Sequence, residues 1–270
     1  MHTEGNRKNK TALITGSTSG MGLCFADNLA QQGYNIMIVG IREDAVKQTA
    51  EDFKNKYDVD VYSFCLDLSE IDAAEKVYAF CQENNIEIHI LINNAGRLML
   101  GAVTDLNTYN FNSCLQLHIN TPAKLARLFG TDMKARQEGY ILTVSSLAAW
   151  MPYPYFSLYA STKQFLKTFF KAIHYEFSGY NVGVTHICPG AIDTNLFPLK
   201  PQLRKLARNL GIMMTPDKLA KRALKKMFRK KVCYVPGIIN KIAVPFLLIF
   251  PVKIIGLFIK NKIMPYYSTV

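Results

Sequence analysis

The chain of 270 residues is 49% apolar and 19% charged, with a formal net charge of +12. This length and composition exclude a chain too short or too polar to bury a core, and they predict one large domain or two small ones. The polar residues 1–10 lead into an apolar stretch that glycines soon interrupt. That pattern excludes a secretory signal peptide, so we expect a cytoplasmic protein.

The positive charge is concentrated towards the carboxyl end. From Lys200 onward, sixteen Lys and Arg side chains stand against one acid, Asp217, so this part carries +15 and the rest carries −3. Such a basic block suits an anionic membrane surface or nucleic acid, although a solvated face has the same composition.

Six cysteines are scattered along the chain without C-x-x-C spacing: Cys24, Cys65, Cys81, Cys114, Cys188 and Cys233. This pattern is typical of reduced, mostly buried thiols in a cytosolic protein. We therefore expect neither a disulfide nor a metal site.

Seven apolar stretches have the composition of buried strands, at residues 11–15, 35–39, 59–66, 88–92, 140–144, 182–187 and 232–236. Helical patterns lie between them, ending near Gln32, spanning 43–56, beginning near Ser69, spanning 104–138, surrounding Tyr159 and spanning 216–231. Strands that alternate with helices predict an α/β fold, with a parallel sheet of about seven strands covered by helices on both faces.

A glycine-rich turn follows the first strand and runs straight into a helix. Its sequence is Gly16-Ser17-Thr18-Ser19-Gly20-Met21-Gly22. A strand, such a turn and a helix together form the arrangement that holds a pyrophosphate at a helix N-terminus. A turn without a ligand would have the same pattern.

The end of the second strand bears on the choice of cofactor. It carries no acid at Gly40 or Ile41, and Arg42 follows. An acid there suits the ribose 2′-hydroxyl of NAD, whereas an arginine suits a 2′-phosphate, so the sequence favours NADP(H) over NAD(H). Ser19 adds no second cation, and Arg42 could equally be a solvated loop residue.

Further candidates stand at strand ends, where ligands bind in open α/β sheets. Asp67 could meet an adenine amino group or cap the next helix. Asn120 lies inside a helical stretch, where Asn is unfavourable, so a polar role competes there with a local kink before Pro122. The residues at strand ends are Asp67, Leu68, Asn94, Ala95, Gly96 and Ser146.

Tyr159 and Lys163 lie four residues apart and share one face of a helix. A fixed ammonium beside a phenol lowers the phenol pKa from about 10, which lets the tyrosine exchange a proton with a substrate oxygen. A helix that carries an aromatic residue and a lysine by chance is the alternative.

Taken together, these motifs resemble the short-chain dehydrogenase/reductase family in its compact, single-domain branch. In order they are T-G-x-x-x-G-x-G at 15–22, N-N-A-G at 93–96, Asn120, Ser146, Y-x-x-x-K at 159–163 and P-G-x-x-x-T at 189–194. The resemblance covers residues 11–194 and implies a Rossmann fold, with hydride transfer between a nicotinamide cofactor and a ketone or secondary alcohol.

The resemblance also implies residue roles. Tyr159 would be the proton donor or acceptor, Lys163 would hold the nicotinamide ribose and lower the phenol pKa, Ser146 would bond the substrate oxygen, and Asn120 would order a relay water. Gly16, Gly20 and Gly22 would carry the pyrophosphate, and Thr194 would meet the nicotinamide amide. The remaining cofactor residues would be Ser17, Ser19, Met21, Arg42, Asp67, Leu68, Asn94, Ala95, Gly96, Pro189, Gly190 and Ile192.

After Thr194 the chain departs from the family pattern. We expect an apolar substrate lid at 195–214 within a Rossmann-fold oxidoreductase domain that spans residues 1–237. A hydrophobic, basic and membrane-associated extension at 238–270 would follow it. The run 242–252 lies between Lys241 and Lys253 and contains Pro245 and Pro251, which argues against a simple transmembrane helix. An amphipathic segment in a membrane interface is favoured over a helix docked on the protein.

The tail resembles those of membrane-associated family members that act on steroids, long-chain ketoacyl compounds or ketosphinganine. With that resemblance, these features predict an NADP(H)-dependent oxidoreductase for a lipophilic substrate of steroid or long-chain acyl type, peripheral to an anionic membrane. The alternatives are a non-catalytic NADP-binding membrane adaptor, nucleic-acid binding by the basic helix, and a nucleotide-sugar epimerase. The catalytic motifs argue against the adaptor, the adjacent hydrophobic segment against nucleic acid, and the glycine spacing against the epimerase. A homodimer or homotetramer through the helices that carry Asn120 and Tyr159 is expected from the resemblance.

Overall fold

The computed structural model describes residues 7, 9–194, 205, 213–249 and 251–262. The strands are β1 Thr11–Thr15, β2 Asn35–Gly40, β3 Val61–Cys65, β4 Ile88–Asn93, β5 Gly139–Val144, β6 Val182–Ile187, β7 Ala191–Ile192, β8 Met213–Met214 and β9 Cys233–Tyr234. The helices are α1 Gly20–Ala30, α2 Glu43–Lys56, α3 Ala73–Glu83, α4 Thr108–Leu115, α5 Thr121–Ala135, α6 Ser157–Ser178, α7 Pro216–Phe228, α8 Ile238–Ile249 and α9 Val252–Lys262.

Seven strands form one parallel sheet in the order β3-β2-β1-β4-β5-β6-β9, and β7 pairs with β8 in a separate two-stranded ladder. The strand order reverses between β1 and β4. This reversal is a topological switch point, and ligands of open α/β sheets bind in the crevice outside the carboxyl ends of such strands.

Helices cover both faces of the sheet. On one face Phe25 of α1, Phe53 of α2 and Leu219 of α7 belong to a single buried cluster. On the other face Val77 of α3 and Phe170 of α6 belong to a second cluster, together with side chains of α5. The strands between them are buried on both sides, which explains why β1 and β2 are continuous apolar runs without alternation. The predicted doubly wound sheet is confirmed.

Several element boundaries differ from the sequence prediction. The third helix begins at Ala73 because Asp67 accepts hydrogen bonds from the backbone and hydroxyl of Ser69, which holds that stretch in a turn. The last strand has two residues instead of the predicted five, and α7 ends at Phe228. The expected lid at 195–214 falls almost wholly outside the described residues.

The predicted helix over 104–138 is divided into α4, a π-helical turn at Gln116–Asn120 and α5. A π-turn takes more residues per revolution than an α-helix, so it shifts the face on which every following side chain lies. The shift falls on the segment that carries Asn120.

The carboxyl-terminal helices α8 and α9 lie against the body of the protein. Gly190 and Gly237 both lie against the Asn240 side chain of α8, and Gly256 of α9 lies against Pro154. Neither helix is long and apolar enough to cross a membrane alone, but the pair 238–247 and 252–261, bent by 118°, would suffice by length and composition together. The domain boundary after residue 237 stays a prediction.

Candidate active site

Two cavities meet at the switch point. The first, of about 600 Å³, opens above the glycine turn and the ends of β1, β2 and β4. The second, of about 390 Å³, lies above β5 and the start of α6. They share the lining residues Met21, Asn94, Gly96, Arg97 and Thr194, so a molecule in the first can reach one in the second.

The glycine turn is held in place by its own packing and by β4. A side chain on Gly22 would lie 2.1 Å from the Gly16 carbonyl oxygen, which only glycine avoids. The amide nitrogen of Asn94 donates to the carbonyl of Thr15 at 2.9 Å, while its carbonyl oxygen is buried without a partner. The turn is therefore rigid, and one acceptor beside it remains available to a ligand.

The structure gives the predicted cofactor residues different environments. Ser17 is fully buried and exchanges hydrogen bonds with the backbone of Val39, so it supports the turn and does not face the cavity. Arg42 is exposed at the start of α2, next to the cavity residue Ile41. The predicted residues that line the first cavity are Gly16, Ser19, Gly20, Met21, Asp67, Leu68, Asn94, Ala95, Gly96 and Thr194.

The segment after β6 closes the space above the glycine turn. The Thr194 methyl group lies against Gly20, which puts the P-G-x-x-x-T motif opposite the first turn of α1. Pro189, Gly190 and Ile192 line the second cavity. This elongated space, with a glycine turn at one end and an unpartnered buried amide oxygen beside it, fits a nicotinamide dinucleotide.

Tyr159 and Lys163 lie on α6, as predicted, and both line the second cavity. The Lys163 ammonium donates to the Val144 carbonyl at 3.0 Å, and Ser145 holds the same turn by donating to the Lys163 carbonyl at 2.7 Å. Burial lowers the pKa of Lys163 to about 8. Most Lys163 side chains are therefore protonated at neutral pH, with a smaller margin than an exposed lysine has.

The electrostatics at Tyr159 differ from the expectation. Burial raises the pKa of its phenol, and the approach of the Ser146 side chain only partly opposes this rise. The Lys163 ammonium lies 5.6 Å from the tyrosine ring centroid. In this arrangement Lys163 is not what perturbs the phenol, so the tyrosine is set up as a proton donor.

Asn120 is a correction to the sequence prediction. It is exposed, its amide nitrogen donates to the Gln116 side chain at 2.8 Å, and among the described residues it is part of neither cavity lining. His118, two residues earlier on the π-turn and therefore on the opposite side of the helix, lines neither cavity but packs behind Tyr159. Its ring meets the Tyr159 ring edge-on at 5.8 Å between centroids.

Both nitrogens of His118 are engaged. Nε2 accepts from the Arg97 backbone at 3.0 Å, so the ring proton is assigned to Nδ1, which lies 3.1 Å from the Thr162 hydroxyl. Thr162 in turn donates to the Tyr159 carbonyl. Burial, with the nearby charges of Lys163 and Arg97, lowers the pKa of His118 well below its usual range. A neutral imidazole thus ties the loop after β4 to the helix that carries Tyr159.

The wall of the second cavity contains residues that the sequence did not single out. Ile255, Phe258 and Ile259 of α9 line it, together with Tyr153 and Phe156 from the loop before α6. Ile259 is only 3% exposed. The carboxyl-terminal extension therefore contributes directly to the site, and most of the cavity wall is apolar.

Comparison with known proteins places the chain in a family. A family model described as short chain dehydrogenase matches residues 10–203. The chain belongs to the short-chain dehydrogenase/reductase family. This membership confirms the predicted resemblance.

Among curated relatives, the very-long-chain 3-oxoacyl-CoA reductase of Mus musculus is 28% identical over 207 residues. That match spans 74% of this chain and 65% of the relative. L-Sorbose reductase from Gluconobacter frateurii, solved with NADPH and L-sorbose, is 25% identical, with a TM-score of 0.74 over 86% of this chain and 97% of its own. A solved 7β-hydroxysteroid dehydrogenase, at 23% identity, shares the fold over 93% of this chain and 97% of its own, with a TM-score of 0.84.

Proposed function

We propose that this protein is an NADP(H)-dependent oxidoreductase that interconverts a ketone and a secondary alcohol on a lipophilic substrate of steroid or long-chain acyl type. The observation that carries the proposal is the second cavity. It is walled by aliphatic and aromatic side chains, it contains Tyr159 and Ser146, and it opens into the cleft above the glycine turn. A substrate carbonyl beside Tyr159 would have its hydrocarbon part against α9.

When bound, the cofactor supplies the hydride. The residues of the chain supply orientation and the proton. Ser146 bonds the carbonyl oxygen, Tyr159 donates its proton to that oxygen as negative charge develops, and Lys163, fixed by Val144, directs its remaining donors towards the cleft. His118 acts through its neighbours by holding the Gly96–Arg97 segment and the backbone of Tyr159 in register.

The preference for NADP(H) rests on chain chemistry and on relatives. Arg42 follows the cavity residue Ile41 at the end of β2, where the 2′ position of the adenosine ribose would lie. The related L-sorbose reductase was solved with NADPH. The lipophilic substrate class is supported by the name of the mouse relative, a very-long-chain 3-oxoacyl-CoA reductase, and by the apolar cavity.

The outer surface of α8 and α9 supports association with an anionic membrane. Ile238, Ile242, Phe246, Ile249 and Leu257 are each at least 58% exposed. Lys241, Lys253 and Lys260 are exposed among them. Apolar side chains interleaved with lysines fit a segment that lies in the interface of a membrane with acidic lipids. A lipophilic substrate could then enter from the bilayer beside the wall that α9 provides.

The test is NADPH oxidation, with NADH in parallel, against 3-ketoacyl thioesters, steroid ketones and ketosphinganine. Tyr159→Phe should lower turnover by about 10²- to 10⁴-fold, because the proton donor is lost, while NADPH still binds. Tyr153→Phe is the matched control, since Tyr153 lines the same cavity and should retain activity. Full activity in Tyr159→Phe would contradict the mechanism. Tight NADPH binding without turnover of any ketone would favour a non-catalytic adaptor.

A further inference from the structure

Outside the catalytic cleft, one cluster of metal-binding side chains draws attention. The sequence spacing predicted no metal site, yet the fold brings His186, Cys188 and Cys233 together. One ligand atom from each lies within 4.8 Å of the other two. Among the described residues this is the group of three such side chains that comes close enough to hold one ion.

The sheet fixes this arrangement. His186 and Cys233 face each other in the register of β6 and β9, so their side chains lie on one face. Cys188 is two residues beyond His186 and therefore points the same way, and its backbone donates to Tyr234 of β9 at 2.9 Å. Two rigid strands hold the three side chains, which is the support that a binding site needs.

A second observation points to a ligand. His186 is 2% exposed, and its Nδ1 atom is buried without a hydrogen-bond partner. An unsatisfied buried polar atom is costly unless something binds it. Cys188 is fully buried, whereas Cys233 is exposed and provides the entry path.

We propose that His186, Cys188 and Cys233 form a binding site for a soft divalent cation, with zinc the best fit. Two thiolates and one imidazole are ligands that zinc takes, with a fourth position left for water. Bond lengths of about 2.3 Å to sulfur and 2.0 Å to nitrogen require ligand atoms about 3.5 to 3.8 Å apart. Each side chain therefore needs to move by less than about 1 Å from its present position.

The bound ion would brace the edge of the sheet. The β6–β9 ladder has only two register pairs, and β9 leads through Gly237 into α8. The other ligand strand, β6, leads into the Pro189–Thr194 segment of the cleft. Zinc would therefore link the strand before the cofactor segment to the strand before the carboxyl-terminal helices. This inference does not depend on the proposed substrate or reaction.

The experiment uses the full chain, reduced and freed of metal by a chelator. Cobalt(II) serves as the spectroscopic probe and zinc is added in competition with a chromophoric chelator. We expect one ion per chain and a thiolate-to-cobalt charge-transfer band, and zinc at about 100 times its Kd should raise Tm by about 5 °C. Cys233→Ser should weaken binding at least tenfold and remove most of the band, as should His186→Gln.

Cys65→Ser is the matched control, because Cys65 is also exposed but lies on β3 and donates to the Ile41 carbonyl. It should bind cobalt as the wild type does. The proposal is overturned if Cys233→Ser keeps the full band, or if the wild type shows none up to about 1 mM cobalt. It is also overturned if the wild type binds no metal and a mild oxidant removes two of its thiols, while the same oxidant removes no such pair from Cys233→Ser. That result would identify a disulfide pair.

Discussion

At the scale of single residues, sequence spacing predicts the pairing of Tyr159 with Lys163 but not the contact of His118 with Tyr159. Tyr159 and Lys163 lie within a regular helix, so a separation of four residues was enough to predict that both face the cleft. Asn120 is the last residue of a π-turn, and the sequence alone does not show that the helix changes its pitch there. The motif match selected the nearby asparagine, whereas the structure turns His118 towards Tyr159.

His118 yields a test at the same scale. Its folded-state pKa is lowered by burial, so below about pH 6.5 the unfolded chain takes up a proton that the native imidazole does not. His118 should therefore contribute a fall in native stability of up to about 1.4 kcal/mol per pH unit as pH decreases, and His118→Gln should remove that contribution. The contribution of His89, whose pKa burial also lowers, should remain. The measurement is urea unfolding between pH 7 and 5.

The control for His118→Gln is His174→Gln. His174 lies on α6 outside both cavity linings, and its ring bonds the Val184 carbonyl of β6. We also expect His118→Gln to lower kcat about tenfold with little change in KM for NADPH, because it acts on the placement of Tyr159. If His118→Gln changed neither the pH slope of stability nor kcat, the proposed role of His118 in positioning Tyr159 would be contradicted.

At the scale of elements, existence was easier to predict than extent. All seven strands of the main sheet were expected, because each is an apolar run followed by polar or small residues. The prediction for the last strand was too long by three residues. This strand lies at the sheet edge and pairs with β6 alone, over two residue pairs. No local signal could show that α9 lines the site, because its apolar residues suit a core, a membrane and a cavity equally.

The two sides of α9 should behave differently. Ile259 is 3% exposed and lines the cavity, whereas Leu257 is 60% exposed and points outward. Ile259→Ala removes apolar contact with the substrate and should raise KM for a lipophilic ketone about tenfold, with NADPH binding unchanged. Leu257→Ala should leave both constants unchanged. The measurement is steady-state kinetics of both variants. An equal change in KM for Ile259→Ala and Leu257→Ala would refute this arrangement of α9.

At the scale of the whole molecule, charge and apolar surface coincide. The basic block after residue 199 includes α7 and the lysines of α8 and α9, while the rest of the chain is nearly neutral. This uneven distribution was readable from the sequence. The tertiary cluster of His186, Cys188 and Cys233 was not, because Cys233 lies 47 and 45 positions after the other two and becomes their neighbour only through parallel strand pairing.

Vesicle sedimentation tests the membrane proposal. Binding to vesicles that contain phosphatidylserine should exceed binding to neutral ones by at least tenfold at low salt, and it should weaken as salt screens the lysines. Phe246→Ser should reduce binding. Ile71→Ser is the control, since Ile71 is 82% exposed in the loop before α3 and away from this surface. Equal binding of wild type and Phe246→Ser would argue that α8 docks on another protein surface.

The position of β9 at the sheet edge also has a consequence for biosynthesis. The six strands from β1 to β6 precede it in the chain, so they can assemble while residues 233–262 are still inside the ribosome or its exit tunnel. The glycine turn and Tyr159 would thus be in place before the wall made by α9. Until α9 folds into place, a nascent chain would expose an open, apolar cleft. That stage of synthesis is when a chaperone would be most needed.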